Sequence, residues 1–417
     1  MKNSYQVIVV GGGPAGLASA ISAYDNGARD VLIIERENRL GGILNQCIHN
    51  GFGLSRFKTS LTGPEYADRF IKELQTRKID VLLATTVIAL NQDKSVVLSN
   101  SKGVFRVVAD AIILAMGCRE RSRGALNVPG ERPVGVFSAG TAQKYVNCNG
   151  YLPGKDVVIL GSGDIGLIMA RRMTLEGAKV HAVCEIMPYS SGLRRNIVQC
   201  LDDFNIPLYL SHTITRIDGI NRVTGVEIAR VDKHFLPIKG TERYIPCDTV
   251  LFSVGLIPEN ELVKEMGIAV SQKTRGAIVT QTRETSVPGV FSCGNVLHVH
   301  DLVDFVSEEA EIAGKHASRY ALQGQCAKQL IDIHTDENIA YVVPQKLDKM
   351  VSDFVTLYFR VKRNVENCVI TLLDGKNIVA QRKKRVALSA EMETIHIPAE
   401  KVATLQGELS LVMEVEK

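Results

Sequence analysis

The sequence predicts an α/β protein with two three-layer units of the ββα type and a small C-terminal antiparallel β domain. Three observations lead to this prediction. A glycine-rich pattern occurs twice, 150 residues apart, and each copy stands between an apolar strand and a helical stretch. The C-terminal residues contain short apolar strands and a hairpin signal. The length of 417 residues suits two or three domains.

The first glycine pattern follows a strand near the N-terminus. Residues Gln6–Val10 form an apolar, β-branched run, and the next six residues, GGGPAG at 11–16, fit the pattern GxGxxG. An Ala- and Leu-rich helical stretch closes at Gly27, and the following strand, Val31–Ile34, ends at Glu35.

The second copy repeats this order of elements at the same spacing. Strand Asp156–Leu160 precedes GSGDIG at 161–166, the helix closes at Gly177, and the next strand ends at Glu185. The third glycine and the acid are 19 residues apart in both copies. Because strand, helix, closing glycine and acid all agree in register, two ligand sites are favoured over two ordinary glycine turns.

Each glycine of such a turn has a physical task. The first permits the tight turn, the second lets the backbone approach a pyrophosphate, and the third lets the helix pack closely on the strand. Phosphates then meet unpaired N–H groups and about half a positive charge at the helix N-terminus. The acid accepts hydrogen bonds from a ribose diol. The sequence therefore predicts two Rossmann-like sites, one for FAD and one for a nicotinamide nucleotide, between which a hydride passes.

Further motifs, in chain order, resemble those of the pyridine nucleotide–disulfide oxidoreductase superfamily, on its thioredoxin-reductase-like branch. The resemblance covers about residues 5–325 and rests on GGGPAG with Glu35 and on four more stretches: GG at 41–42, AIILAMG at 111–117, FSVGLIP at 252–258 and TSVPGVFSCGN at 285–295. It implies a discontinuous FAD-binding domain at 1–120 and 257–330, an inserted NAD(P)-binding domain at 121–256, and a C-terminal β domain at 335–417.

The resemblance also implies which residues bind each cofactor. The residues implied for FAD are Gly11, Gly13, Pro14, Ala15, Gly16, Glu35, Arg36, Gly42, Ala115, Gly117, Gly294, Asn295 and Val306. The residues implied for NAD are Gly161, Gly163, Asp164, Ile165, Gly166, Glu185 and Gly255.

Two positions depart from the branch that the chain resembles. The second FAD motif usually ends in Gly-Asp, but Asn295 stands here, and its side chain can bond a hydroxyl without carrying charge. The redox CxxC of thioredoxin reductases is absent, and Ala139 and Ala142 stand in its place. We therefore expect no disulfide relay, so that electrons from the flavin pass to another acceptor.

Two stretches narrow the resemblance further. GGILNQCIHNGFGL at 41–54 and GNVLHVHDLVDFVSEE at 294–309 are similar to flavoproteins associated with anaerobic glycerol-3-phosphate dehydrogenase systems. More distant resemblance is to dinucleotide-binding subunits of opine, proline and amine dehydrogenases. The resemblance implies a partner dehydrogenase subunit, with a small cysteine-rich protein in some systems, and a homo- or hetero-oligomer.

The choice between the two nicotinamide nucleotides depends on charge. Glu185 favours NAD, because a 2′-phosphate beside a carboxylate faces repulsion of up to about 4 kcal/mol per charge pair at 4 Å. Arg194 and Arg195 are the counter-evidence, since they could hold such a phosphate. We predict NAD in preference to NADP.

Three residues are candidates for catalysis. Cys47 lies five residues after Gly42 and could act as a redox thiol, although a free cysteine is more often a packing residue. His298 and His300 precede the last helix of the flavin domain, and either could exchange protons with reduced flavin or substrate. His49 is a weaker candidate of the same kind. The His-Val-His stretch lacks further ligands at a recognisable spacing, so we predict no metal site.

The composition excludes several classes of protein. The 49 basic and 45 acidic residues give a net charge of +4, whereas a nucleic-acid binder would usually be more basic. No apolar run approaches the roughly 18 residues of a membrane span, and the first residues lead into a strand rather than a signal peptide. The nine cysteines are odd in number and widely spaced, which favours a cytoplasmic location over a disulfide framework.

The pattern of the tail predicts antiparallel β structure. Strands are predicted at Val355–Val361, Cys368–Leu372 and Leu409–Val415, with a hairpin turn at Asp374 and Gly375. Its candidate roles are dimerisation, partner docking or covering the flavin domain. The basic run at 382–385 is better explained as a guard of a sheet edge than as an anionic docking patch.

Three functions remain open from the sequence. In the leading hypothesis, hydride passes between NADH and FAD, in either direction, and a second donor or acceptor completes the cycle. A second hypothesis is a stand-alone NADH oxidase or peroxidase that uses Cys47. The third is a non-catalytic assembly subunit in which the dinucleotides are structural and the tail binds a partner.

Overall fold

The computed structural model describes residues 2–351 and 353–415. The chain divides into two compact units, one formed by Met1–Cys118 with Pro258–Lys417 and the other by Arg119–Ile257. The assignment of FAD to the first unit and of a nicotinamide nucleotide to the second stays a prediction.

The main sheet of the first unit contains seven strands, of which five are parallel. The parallel strands lie in the order Asp80–Leu82, Val31–Ile34, Ser4–Val10, Gly103–Leu114 and Val290–Ser292. The 12-residue strand Gly103–Leu114 is long enough to join two layers. Its first half pairs antiparallel with Ser95–Asn100, which in turn pairs with Thr86–Leu90.

Side chains alternate between the two faces of this sheet, so that each face has its own core. Val7 and Val9 point to the helical layer, whereas Ile8 and Val10 pack against the antiparallel strands. The α-helices of this unit before the tail are Pro14–Asp25, Gly63–Gln75, Glu261–Glu265 and Val303–Gln323. Short 3-10 helices lie at Gly42–Gln46 and Gly294–Val296, and a small two-stranded sheet joins Asn50–Phe52 with Leu61–Thr62.

The first and last of these helices pack closely against each other. A Cβ built on Gly314 would lie 2.2 Å from the carbonyl oxygen of Ser19, so only glycine allows this approach. The Ser22 hydroxyl adds a hydrogen bond of 2.7 Å to the carbonyl oxygen of Glu311. This contact fixes the last helix beside the helix that follows the first glycine turn.

The second unit repeats the same layers. Its parallel strands lie in the order Val136–Ser138, Thr249–Phe252, Asp156–Leu160, Lys179–Glu185 and Leu208–Leu210. Three antiparallel strands cover one face, namely His212–Asp218, Gly225–Arg230 and Arg243–Pro246. Its helices are Ala139–Lys144, Asp164–Leu175 and Arg194–Cys200, with short turns of other helix types at Arg123–Ala125, Tyr145–Asn149 and Asp202–Phe204. The predicted pair of ββα units is confirmed.

Two short strands, Cys118–Glu120 and Leu256–Pro258, contain the points at which the chain passes from one unit to the other.

The tail forms two sheets around a core of its own. The first has the order Lys346–Asp348, Leu330–Thr335, Leu409–Val415, Val365–Asp374 and Asn377–Ala387, and the second Ile339–Val343, Val355–Val361 and Glu393–Ile397. A short helix spans Ala399–Val402.

The hairpin predicted in the tail is confirmed, since Asp374 pairs with Asn377 across the turn. The tail is not wholly antiparallel, however, because Leu330–Thr335 pairs in parallel with Leu409–Val415. Such a pair needs a long crossover, which the intervening strands supply.

The basic run at 382–385 lies on the edge strand of the first tail sheet, the position at which charged residues would prevent pairing with another strand. Two of its members are engaged within the tail: Lys384 pairs with Glu393 at 2.9 Å, and Arg382 donates to the carbonyl oxygen of Thr394. Across residues 2–351 and 353–415, no helix is both long and apolar enough to cross a membrane.

Candidate dinucleotide sites

The first glycine turn allows two approaches that a side chain would block. Gly11 has φ +107°, and a Cβ on it would stand 2.5 Å from the carbonyl oxygen of Ala115. A Cβ on Gly16 would stand 1.8 Å from the carbonyl oxygen of Gly11. The turn is therefore held between its own strand and the neighbouring strand that ends at Leu114.

Glu35 holds this turn from the end of the second strand. Its buried carboxylate accepts the N–H of Gly12 on Oε2 at 2.7 Å and the N–H of Glu37 on Oε1 at 2.8 Å. Pro14 is the first helical residue, and among the described side chains none caps the helix start after Gly13. The N–H groups and partial positive charge of that helix end remain available to a phosphate.

Other residues predicted to bind FAD converge on the same turn. A Cβ on Gly42 would lie 2.9 Å from the Cα of Gly13. A Cβ on Gly294 would lie 2.8 Å from the Cβ of Ala15 and 3.3 Å from Val306. The structure thus brings together segments that are far apart in the sequence.

Three further residues predicted for FAD lie at its edges. Arg36 is exposed beside Glu35, and a Cβ on Gly117 would meet no described atom within 4 Å. Asn295 uses both ends of its amide: its oxygen accepts the N–H of His300 at 3.1 Å, and its nitrogen lies 3.7 Å from the sulfur of Cys118. An aspartate at 295 could accept the first bond but could not donate the second.

The second glycine turn has the same construction. A Cβ on Gly161 would stand 2.0 Å from the carbonyl oxygen of Ser253, and one on Gly166 would stand 2.5 Å from that of Gly161. Gly163 precedes the helix Asp164–Leu175, whose start no described side chain caps. Ile165 is half-buried in the first turn of this helix, and Gly255 has open space around its Cα among the described atoms.

Glu185 holds the second turn as Glu35 holds the first. Its buried carboxylate accepts the N–H of Ser162 on Oε2 at 3.0 Å and the N–H of Met187 on Oε1 at 3.0 Å. The Ser162 hydroxyl adds a bond of 2.6 Å to Oε2, and Ser191 adds one of 3.4 Å. The second acid is therefore more heavily hydrogen bonded than the first.

Asp164 differs from Pro14, its counterpart in the first helix. Its Oδ1 accepts the N–H of Leu193 at 2.8 Å and the side-chain amide of Asn196 at 2.6 Å. Asp164 therefore ties the segment after Glu185 to the start of the helix Asp164–Leu175. Arg194 and Arg195 follow this segment, and both are exposed.

The two positions that are predicted to take the place of the thioredoxin-reductase dithiol lie in a core. Ala139 and Ala142 are both fully buried in the apolar core of the second unit. The N–H of Gly140 between them lies 2.8 and 2.9 Å from the two carboxylate oxygens of Glu120.

Cys47 follows the 3-10 helix Gly42–Gln46 and is half-buried, with its sulfur 3.4 Å from the carbonyl oxygen of Ile43. His49 is also half-buried, and its ring lies 5.0 Å from that of Phe52. Cys293, within the predicted second FAD motif, is fully buried, and burial raises the pKa of its thiol well above its usual range. The redox role of Cys47 stays a prediction.

His298 and His300 lie in the interior around one carboxylate. Glu309 lies on the helix Val303–Gln323. Its Oε1 is 3.1 Å from Nε2 of His298 and its Oε2 is 3.0 Å from Nε2 of His300. Oε1 also accepts from Nε of Arg283 at 2.9 Å, and Oε2 accepts the N–H of Gly294 at 2.8 Å. The side chains of all four titratable residues in this cluster are at most 1% exposed.

The charges of this cluster are set by burial and proximity. Burial, together with the neighbouring His300, lowers the pKa of His298 to about 4. Burial alone would raise the pKa of Glu309, but His298, His300 and Arg283 hold it well below its usual range. An anionic carboxylate only accepts hydrogen bonds, so both imidazoles donate to it through Nε2.

The sequence singled out the two histidines but missed Arg283 and Glu309. Glu309 gave no separate signal in the sequence, because Asp304, Glu308 and Glu311 lie on the same helix and nothing distinguishes it from them. His298, His300 and Glu309 have the residue types and closeness of a metal site. The carboxylate already accepts four donors, one from a guanidinium, so the predicted absence of a metal stands as a prediction with this physical support.

Comparison with known proteins decides the family. The family described as pyridine nucleotide-disulphide oxidoreductase matches residues 5–317. The chain belongs to this family. It is thus an oxidoreductase of the flavoprotein type by family, and membership implies binding of FAD and of NAD or NADP.

Several curated proteins are similar over most of this chain. The hydrogen cyanide synthase subunit HcnB of Pseudomonas protegens is 26% identical over 317 residues, which are 70% of this chain and 66% of that protein. An alkyl hydroperoxide reductase subunit of Staphylococcus aureus is 27% identical over 71% of this chain and 54% of its own. An opine oxidase subunit of Agrobacterium tumefaciens is 25% identical over 77% of this chain and 66% of its own length. The chain spans less than two thirds of each of these relatives.

Solved structures of thioredoxin-reductase type share the fold. The T. acidophilum thioredoxin reductase has a TM-score of 0.63 and 25% identity, covering 77% of this chain and 100% of that one. A bacillithiol disulfide reductase from Bacillus cereus has a TM-score of 0.62 at 19% identity over 77% and 100%. A NAD-dependent persulfide reductase from A. fulgidus, with a TM-score of 0.59 at 17% identity, covers 96% of this chain and 76% of its own. The predicted fold class is confirmed.

Proposed function

We propose that the chain binds FAD at the turn 11–16 and NAD(H) at the turn 161–166 and is an FAD-dependent NAD(P)H oxidoreductase. One observation carries the proposal. In both turns a buried glutamate accepts the backbone N–H of the middle residue of GxG. Glu35 accepts the N–H of Gly12 and Glu185 accepts the N–H of Ser162, and in both cases the two residues are 23 positions apart. Two copies of one phosphate-binding construction are what two dinucleotides require.

The residues around the first turn fit FAD. The uncapped helix start after Gly13 offers N–H groups to a pyrophosphate, and Glu35 has lone pairs left for ribose hydroxyls. Ala15, Gly42, Gly294 and Val306 would border the same cofactor. When bound, the two cofactors supply hydride transfer between nicotinamide and flavin, and the protein's part is to bind and orient them.

We further propose that NAD is preferred to NADP. Glu185 ends the second strand with a buried carboxylate, and a 2′-phosphate there would meet like charge. Ser162 and Ser191 engage Oε2, while Oε1 accepts the N–H of Met187 and has a further lone pair that can take a ribose hydroxyl.

We also propose that the flavin exchanges electrons, in either direction, with a partner dehydrogenase subunit of the glycerol-3-phosphate or the amine and imino-acid type. Ala139 and Ala142 provide no thiol for a disulfide relay. Two relatives are by name subunits, of hydrogen cyanide synthase and of opine oxidase, which supports a multi-subunit assembly. We place the protein in the cytoplasm because its cysteines are odd in number and widely spaced.

The test is anaerobic mixing of the FAD-loaded chain with NADH while the visible flavin absorbance is followed. Rapid bleaching by NADH is expected. NADPH should reduce the flavin at least about tenfold more slowly. Gly161→Val should retain the yellow flavin but lose the reaction, whereas Gly11→Val should lose the flavin, so each variant is the control for the other. Unbleached wild-type protein would favour the non-catalytic subunit, and fast oxygen or peroxide turnover that needs Cys47 would favour the stand-alone enzyme.

A further inference from the structure

The carboxylate of Glu309 is the centre of a buried cluster that the proposed reaction does not use. It accepts from four donors that come from two segments, Arg283 and the stretch Gly294–His300, so that with its own helix, Val303–Gln323, it joins three segments. All the side chains involved are withdrawn from solvent. Such an arrangement is costly to build unless its charges are paired, as Arg283 and Glu309 are here.

We propose that Glu309 is a positioning residue for the flavin site. It holds the N–H of Gly294 and the rings of His298 and His300, and it thereby fixes the loop from Gly294 to Leu302 beside the first glycine turn. This inference rests on the proposed binding of FAD.

The geometry connects Glu309 directly to the first turn. Gly294, whose N–H donates to Glu309 at 2.8 Å, is packed against Ala15 so closely that a Cβ would stand 2.8 Å from the Ala15 side chain. His300 donates its backbone N–H to Asn295, the residue that takes the place of the usual aspartate. Movement of the carboxylate would therefore move both residues of the second flavin motif.

The tail holds the other side of the same loop. The ring of Tyr358 lies 5.7 Å from the rings of both histidines, and the Arg283 guanidinium lies 5.8 Å from it. Arg360 forms an ion pair with Asp301, and Asp301 also accepts the N–H of Met392 at 2.7 Å. The strand Val355–Val361 thus shields the cluster from solvent and contacts the loop on its outer side.

Charge makes glutamate, and not glutamine, the residue that fits. A glutamine would direct its NH₂ group at two of the four donors and would leave Arg283 without its counter-ion. Because the unpaired positive charge would stand next to the second flavin motif, the reduced, anionic flavin would be favoured.

The test compares Glu309→Gln with Glu311→Gln in the full chain. Glu311 is on the same helix, but its side chain is 39% exposed and pairs with Arg56. For Glu309→Gln we expect FAD to bind about tenfold to a hundredfold more weakly, a changed visible flavin spectrum and a more positive flavin midpoint potential. Glu311→Gln should leave all three as in the wild type.

Circular dichroism checks that each variant folds. If Glu309→Gln does not fold, His300→Phe removes a single donor, and a smaller change in the spectrum and in FAD affinity is expected. The inference would be overturned if folded Glu309→Gln kept the wild-type flavin spectrum, FAD affinity and midpoint potential. It would also be overturned if His300→Phe kept the wild-type spectrum and FAD affinity. A wild-type chain that does not bind FAD would instead overturn the proposed function, so the two failures are distinguishable.

Discussion

Gly294 lies against Ala15, and a single methyl group could not be added between them, because a Cβ on Gly294 would stand 2.8 Å from that of Ala15. The two residues are 279 positions apart in the chain. Their contact joins the segment 285–295, the predicted second FAD motif, to the first glycine turn, and it gives the first prediction.

Gly294→Ala should weaken FAD binding by roughly tenfold or more, because the added methyl pushes the second motif away from the turn. Gly150→Ala is the matched control: it has φ +71° against +72° for Gly294, and a Cβ there meets no described atom within 4 Å. Flavin content after purification and fluorescence titration with FAD measure the effect. Equal loss in both variants would show that backbone strain, and not the contact, is responsible.

Glu185→Gln should relax the preference for NADH. Removing the carboxylate charge removes repulsion of a 2′-phosphate, worth up to about 4 kcal/mol at 4 Å near a surface. We expect the ratio of kcat/KM for NADH to that for NADPH to fall by at least about tenfold. The control is Glu176→Gln, an exposed residue of the same unit. An unchanged ratio would mean that the nucleotide is selected elsewhere.

Acid should destabilise the fold through its buried histidines. Burial lowers the pKa of His298, and likewise of His316, from 6.5 to about 4. Between these two pH values the unfolded chain binds the protons and the folded chain does not. The free energy of unfolding therefore falls as the pH falls through this range, and above pH 6.5 the contribution of the neutral histidines is fully present. Each histidine contributes about 3 kcal/mol to this loss.

Urea unfolding at several pH values measures that loss. His316→Gln should reduce the slope of stability against pH by about one proton, and His234→Gln, at an exposed position, should not. A flat profile between pH 4 and 6.5 would contradict the buried, neutral state of these rings.

Removing one partner of the ion pair between Arg360 and Asp301 should destabilise the fold far more than removing one partner of an exposed pair. Its side chains are 16% and 23% exposed, and Arg360→Met would leave the carboxylate of Asp301 without its counter-ion, at a cost of about 3 kcal/mol. In Arg106→Met, the exposed pair with Asp93 is lost, and we expect a change below about 1 kcal/mol. Similar unfolding free energies for the two variants would show that the tail does not depend on this contact.

Metal analysis of the purified chain should find no stoichiometric ion at His298, His300 and Glu309. The carboxylate already accepts four hydrogen bonds, and Arg283 lies 2.9 Å from Oε1, where it would repel a cation. Addition and removal of zinc should leave the flavin spectrum unchanged. One tightly held ion per chain, lost in Glu309→Gln, would reverse this prediction.

Local sequence was sufficient for the repeated parts of this protein. The turns at 11–16 and 161–166, the strands that precede them and the acids at 35 and 185 are all specified by residues close in the chain, because a glycine turn and its strand interact over short range. The hairpin at Asp374 is specified locally for the same reason.

Only the tertiary structure could decide the surroundings of His298 and His300. Glu309 is one of several acidic residues along its helix, and Arg283 is a lone basic residue in a turn, so neither differs from a solvated charge when it is read in the sequence. Folding buries both and places them around the two histidines. The reason is physical: whether a charge is paired in the interior or solvated at the surface depends on what long-range packing places around it, and no spacing along the chain records that.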